Sequence, residues 1–246
     1  MKRTLTVIVL VIVAFGAIVL ARLPASWVLP TGGSNFRCAS VEGSLWSGYC
    51  VGLTAHGEAL GDLTWQLRPA RLLAGKLAAR IDLERPPSVT AQGDVEVGLS
   101  GAVVARNVTA SLPIDPTLLP GVPPTLTGTL HADVALAKVT RNGVVSRLEG
   151  HIEANDLVDR SGDVTPLGSF TVNFPAGTAQ PTGDVHDLGG PLAVAGKLVL
   201  TPQPGYALSG YVTPRANAVP ALVNAIRFLG SPDAQGRREF ALSGTY

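Results

Sequence analysis

Charge is scarce in this sequence. Asp, Glu, Lys and Arg make up 15% of its 246 residues, against about a quarter in an ordinary globular chain. The 19 basic and 18 acidic side chains nearly cancel, leaving a formal charge of +1, and without Lys2 and Arg3 the balance is 17 against 18. No field of one sign exists to gather nucleic acid or steer an anionic substrate, so a nucleic-acid partner is excluded. Aromatic residues are 5%, too few for a stacking platform for bases or sugars. The four histidines, His56, His131, His151 and His186, are scattered, with no pair four apart and no His-Glu-x-x-His, so no metal set is expected. His131 and His151 fall in strand-like runs and read as polar-face residues. GSLWSG (43–48) lacks the Gly-x-Ser-x-Gly spacing of a nucleophile elbow. DLVDRSGD (156–163) lacks the ligand order and closing glutamate of a calcium loop, and reads as a solvated turn. No phosphate-binding glycine loop is present. No catalytic residue, cofactor or metal is therefore assigned, and the chain is not expected to be an enzyme.

What the sequence does have begins at its amino terminus. After Lys2 and Arg3, Leu5–Ala21 contains no charge. As a helix rising about 1.5 Å per residue it nearly crosses a hydrocarbon core of roughly 30 Å. One reading is an uncleaved signal-anchor with residues 1–4 in the cytoplasm. The other is a removable signal peptide, since Val19-Leu20-Ala21 would suit cleavage, although the run exceeds the usual apolar core of about 7–15 residues. Either way the remainder lies outside the cytoplasm. The only cysteines, Cys38 and Cys50, fall in this exported part, where an oxidising setting favours a disulfide. Bridged, they close a short loop worth about 3 kcal/mol; unbridged, they would be two buried thiols.

Residues 22–35, rich in Pro, Gly and Ser, read as a linker, and 36–246 as one β domain. Apolar and polar residues alternate at period two through 36–40, 44–55, 61–67, 76–84, 88–98, 101–112, 124–139, 144–157, 167–174, 182–188, 191–201, 206–213 and 238–245. The 28 Gly and 19 Pro punctuate these runs, and TRNGV (140–144) reads as a hairpin turn centred on Asn-Gly. Three stretches break the alternation. RPARLLAG (68–75) suggests a short helical turn stopped by Gly75, and DPTLLPG (115–121) a similar piece. ANAVPALVNAIRFLG (216–230) carries Val219, Leu222, Val223, Ile226 and Leu229 at helical spacing, with Asn217 as the expected N-cap.

One local pattern recurs, an apolar residue on either side of a glycine at period two. It appears as Val41-Gly43-Leu45, Leu99-Gly101-Val103, Leu126-Gly128-Leu130, Leu148-Gly150-Ile152, Val194-Gly196-Leu198, Leu208-Gly210-Val212 and Leu242-Gly244-Tyr246. In a strand all three members share a face. Glycine there permits bending and close backbone approach, so the expected fold is all-β: a strongly curved antiparallel sheet, groove- or jelly-roll-like, with a few short helices. Trp46, on the opposite face from Gly43, would be either buried or a contact for a partner.

Several segments carry a family resemblance. SVEGSLWSGYCVGL, with Val41, Gly43, Leu45, Trp46 and Gly48, follows the apolar run, and LGDLTWQLRPARLLAGKL follows with Trp65, Pro69 and Gly75. Downstream come LGGPLAVAGKLVLTP and YALSGYVTPRANAVPALVNAIRFLGSPDAQGRREFALSGTY, the latter with a Leu229-Gly230…Asp233…Gly236-Arg237 turn. In order and spacing these resemble the type II secretion system protein N family. The resemblance implies a single-pass protein of a Gram-negative inner membrane with a periplasmic β domain. It also implies an accessory role in exporting folded proteins across the outer membrane. Expected partners are the inner-membrane platform proteins and the outer-membrane secretin. The architecture also resembles curved β-groove domains of envelope lipid carriers, which makes a lipid- or acyl-chain-binding module the alternative.

Overall fold

The computed structural model describes residues 22–27, 36–55, 58–85, 88–116, 118–119 and 122–245. The expected membrane helix over 5–21 and linker residues 28–35 lie outside them. Among the described residues no helix is long and apolar enough to cross a membrane.

Among the described residues, fourteen strands form one antiparallel sheet. They are β1 (Phe36–Arg37), β2 (Ser40–Gly43), β3 (Ser47–Ala55), β4 (Glu58–Leu67), β5 (Lys76–Arg85), β6 (Val89–Gly98) and β7 (Val103–Pro113), followed by β8 (Leu126–Val139), β9 (Val145–Asp159), β10 (Thr165–Phe174), β11 (Thr182–Asp187), β12 (Leu192–Leu200), β13 (Tyr206–Pro214) and β14 (Arg238–Gly244). From β3 onward each strand pairs with the next in sequence, while β1 and β2 both pair with β3. The sheet is thus an up-and-down meander without crossovers, which departs from the jelly-roll connectivity the glycine pattern suggested. Alternation dictates each strand but not the order of connection; short turns between successive strands favour the meander. β14 and the β1–β2 side form its edges.

The first strand expected from sequence is broken in two. β1 and β2 flank Cys38, whose sulfur is bonded to that of Cys50 on β3, with Cα atoms 5.6 Å apart. Register shifts interrupt the β3–β4, β6–β7, β8–β9 and β9–β10 ladders. Two of these bulges hold non-glycine residues at positive φ, Asn107 and Asp156, the residue types that best tolerate it.

A 3-10 turn over Pro69–Ala74 is capped by Gly75 at φ +68°, where a stop was expected. The described residues of 115–121 form no helix. The expected 216–230 helix is shorter, α1 (Pro220–Arg227), with Val219 rather than Asn217 at its N-cap. Proline explains this boundary, since it suits the first helical position and holds the preceding residue extended; Val219 has ψ 150°. Leu222 and Ile226 of α1 pack on Val212, with Leu167, Leu192, Val194 and Phe240 around them. Val219 and Leu229, expected in that stripe, are exposed.

Candidate functional site

The registers sort the side chains of the sheet into two faces. Cross-strand partners share a face, so one row runs Leu63, Leu83, Ala91, Ala110, Ala132, Ile152, Val172. A parallel row runs Trp65, Ile81 and Gly93, and another Val134, Gly150 and Phe174. Farther along, Leu198 faces Leu208 and Leu242. This face is aliphatic or glycine nearly everywhere. The other carries Glu84, Thr90, Ser111, His131 and Glu153 in one row, and Asp82, Gln92, Thr109, Asp133 and His151 in the next. His131 and His151 therefore sit on the polar face, and His151 Nε2 lies 3.3 Å from the Asp133 carboxylate. No group of metal-ligating side chains forms among the described residues. A shallow hollow of about 360 Å³ crosses β5–β8 and is bordered by Asp82, Glu84, Gln92, Thr109, His131 and Asp133.

The apolar face is incompletely covered. Cys50, Leu53, Val89, Phe174, Val185, Leu200 and Val212 are buried on it. Across the middle of the sheet, Leu63, Ile81, Leu83, Val95, Val97, Val108, Leu130, Val134 and Ile152 are only half-buried. A packed second layer would drive such residues close to full burial, so this face retains apolar area that folding does not remove from water.

The recurring glycines have different tasks. VEGSLWSG is a hairpin rather than one strand. Gly43 ends β2 at φ +92° opposite Gly48 on β3, and the Ser44 N–H donates to the Ser47 carbonyl. Val41 and Gly43 remain in a strand, but Leu45 and Trp46 occupy the turn, because positive φ at Gly43 lets the chain reverse there. Gly48 is overlaid by Trp65: a Cβ on Gly48 would fall 2.1 Å from Cζ2 of the indole. The same indole donates Nε1–H to the Leu45 carbonyl at 3.1 Å. Trp46 is half-buried and its carbonyl accepts the Leu67 N–H. Gly101, expected to open a strand over 101–112, lies instead in the β6–β7 turn, and nearby Leu99 is 93% exposed. Gly128 and Gly150 stand at register shifts of β8–β9. Gly196 and Gly210 face each other, so close that a Cβ on either would meet the opposing backbone at 2.4–2.5 Å. Gly244 lies under the Tyr206 ring.

Three carboxylates fasten turns and strand irregularities: Asp233, of the turn singled out in the sequence, and Asp62 and Asp187, which carried no sequence signal. Asp62 accepts the Gly52 N–H at 2.8 Å and the Tyr49 hydroxyl at 2.7 Å, and these bonds hold its pKa below the ordinary carboxylate value. Asp187 accepts the N–H groups of Val194 and Gly189 and meets Arg215 at 2.6 Å. Burial pushes its pKa up, and the three donors together more than reverse that. Asp233 accepts the Arg237 N–H, its side-chain Nε–H and the Gln235 N–H, again lowering its pKa. The Arg237 guanidinium then lies 4.4 Å from the Tyr211 ring centroid. The donors to Asp233 lie within its own turn, whereas those to Asp62 come from the neighbouring strand β3 and Asp187 draws on β12 and Arg215.

A family model described as "Type II secretion system (T2SS), protein N" matches residues 34–241. The type II secretion system protein N of Aeromonas hydrophila is 28% identical over 96% of each chain. The protein of that name from Vibrio cholerae is 30% identical over 88% of this chain and 86% of its own. No solved structure matches.

Proposed function

The chain belongs to the type II secretion system protein N family, and we propose that it serves that system as an accessory inner-membrane component acting through protein–protein contact. In this reading Leu5–Ala21 spans the membrane with residues 1–4 in the cytoplasm, 22–35 link, and 36–246 work in the periplasm. Membership implies association with other components of the system; the inner-membrane platform proteins and the outer-membrane secretin are the proposed direct partners. The observation that carries the reading is the family match over nearly the whole sheet. The Cys38–Cys50 disulfide agrees with an oxidising compartment. The exposed edge of β14 and the outer side of α1 are the contacts to probe, since an unpaired edge accepts a partner strand. Photocrosslinkers placed there in intact cells are expected to capture platform or secretin subunits. Capture of unrelated envelope proteins alone would reject this assignment of partners.

A second reading rests on the half-buried aliphatic face. A sheet curved about that face would make a groove for an acyl chain, which needs no hydrogen bonds and gains about 0.8 kcal/mol per buried methylene. In this reading the protein is a lipid-binding module of the envelope. Native mass spectrometry of the detergent-extracted protein tests it: a bound phospholipid supports it, and a mass equal to the bare chain counts against it.

A further inference from the structure

The two ends of the sheet differ in charge. Turns 44–46, 68–75, 99–102, 140–144, 175–181 and 201–205 lie at one end, together with residues 22–27. These segments contain Arg22, Arg68, Arg71 and Arg141 and no acidic residue. The opposite end mixes both signs, with Asp115, Asp163 and Asp233 beside Arg160, Arg215, Arg227 and Arg237. The basic end also holds aliphatic side chains with nothing above them. Leu73 is 94% and Leu99 93% exposed, and Leu72 and Leu77 are nearly half exposed. Leu99 lies beside the turn that carries Leu72 and Leu73, since a Cβ on Gly75 would touch it at 3.0 Å. Arg141 adjoins it, with its side chain against Gly101. Successive turns at this end sit two strands, about 10 Å, apart.

The chain arrives at this same end. The Leu45 N–H donates to the Leu23 carbonyl, and Pro24 bridges Ser44, so residues 22–25 are tied to the turn beside Trp65. The uncharged run Leu5–Ala21 ends one residue before them. A span that delivers the chain here leaves this end of the sheet nearest the bilayer. Arg68 is paired with Asp94, and the nearby Glu96 with Lys76; exposed leucines flanked by Arg71 and Arg141, in turns that contain no acidic residue, suit a surface of acyl chains beneath anionic phosphates.

We propose that the basic end of the sheet rests on the membrane that anchors the chain, with Leu73 and Leu99 entering the lipid interface and Arg71 and Arg141 facing lipid phosphates. This deepens the reading above and rests on Leu5–Ala21 being a membrane span. The test uses the full chain reconstituted in phosphatidylethanolamine–phosphatidylglycerol vesicles, with an environment-sensitive fluorophore on Leu73→Cys, Leu99→Cys or Phe228→Cys. All three sites are more than nine-tenths exposed, so the label perturbs no packing, and Phe228 follows α1 at the opposite end. Lipids carrying nitroxides near the headgroup should quench the labels at 73 and 99 and leave that at 228 bright. Arg71→Ser with Arg141→Ser should weaken the quenching, as should raised salt. Equal quenching at all three sites, or a blue shift at 73 that follows protein density without nitroxide quenching, overturns the proposal; the latter would mean contact between copies. Carbonate extraction separates the two readings. Protein that stays in the vesicles with unquenched labels refutes the docking alone, whereas release by carbonate refutes the anchor and the docking with it.

Discussion

Gly48 and Trp65 offer a test of how the first hairpin is held. Replacing Gly48 by alanine puts a methyl group 2.1 Å from Cζ2 and 2.6 Å from Cη2 of the indole, far inside the ~3.5–4.0 Å optimum between carbons. The indole has to leave. With it goes the bond to the Leu45 carbonyl, worth about 1 kcal/mol. Also lost is part of the roughly 3–5 kcal/mol typical of deleting a packed tryptophan, about half here because Trp65 is only half-buried. Alanine returns about 0.5–1 kcal/mol over glycine in a strand, so Gly48→Ala should cost about 2 kcal/mol. Trp65→Ala should cost about 3 kcal/mol on the same basis. The double variant should be no less stable than Trp65→Ala, since the added methyl then meets open space, giving a coupling of about 2 kcal/mol or more. Urea unfolding of the detergent-solubilised protein with its disulfide intact, followed by far-ultraviolet circular dichroism, measures all four corners. Additive losses would refute the account of Trp65 as the cover of Gly48.

Gly196→Val should lower stability by about 1–3 kcal/mol through overpacking, because its Cβ falls 2.5 Å from the Ser209 carbonyl oxygen; an unchanged urea midpoint would contradict the close approach of β12 and β13. Serine at both Cys38 and Cys50 should cost about 3 kcal/mol by loop entropy, read as the same loss when wild type is unfolded with reductant. Stability should hold from pH 7 to about pH 5 and fall below about pH 4. The folded-state pKa values of Asp62, Asp187 and Asp233 lie below their unfolded values, so their contribution is present above the unfolded value and is lost as pH drops through the folded one. Asp62→Asn should make the acid fall shallower, and an identical pH profile would remove Asp62 from the explanation.

Strand content was legible because alternation at period two is a local signal: β4 to β14 fall within a few residues of their expected bounds. Where sequence and structure part, a single glycine or proline decides. Val41 to Leu45 reads as one strand face, yet Gly43 at φ +92° turns the chain there. Leu99 and Val103 flank Gly101 as strand residues would, yet Gly101 at φ +75° closes a turn on the Gly98 carbonyl. Pro220 sets the start of α1 two residues later than Asn217 as N-cap suggested. The division into an aliphatic and a polar face required the registers, since which strands are neighbours is not written in any one strand. The Asp62 and Asp187 fastenings were illegible for the same reason: Asp187 and Arg215 are 28 residues apart, whereas Asp233 and Arg237 lie four apart in the turn the sequence singled out. The pairing of glycine with a covering ring, Trp65 over Gly48 and Tyr206 over Gly244, likewise appears only across a strand pair.

The most direct test of the proposed role is the distribution of a type II-exported enzyme between culture medium and periplasm in cells from which this protein has been deleted. The account predicts enzyme folded and trapped in the periplasm, with export restored when the full chain is supplied again. Normal levels in the medium, with outer-membrane permeability altered instead, would contradict it and favour the lipid-binding reading.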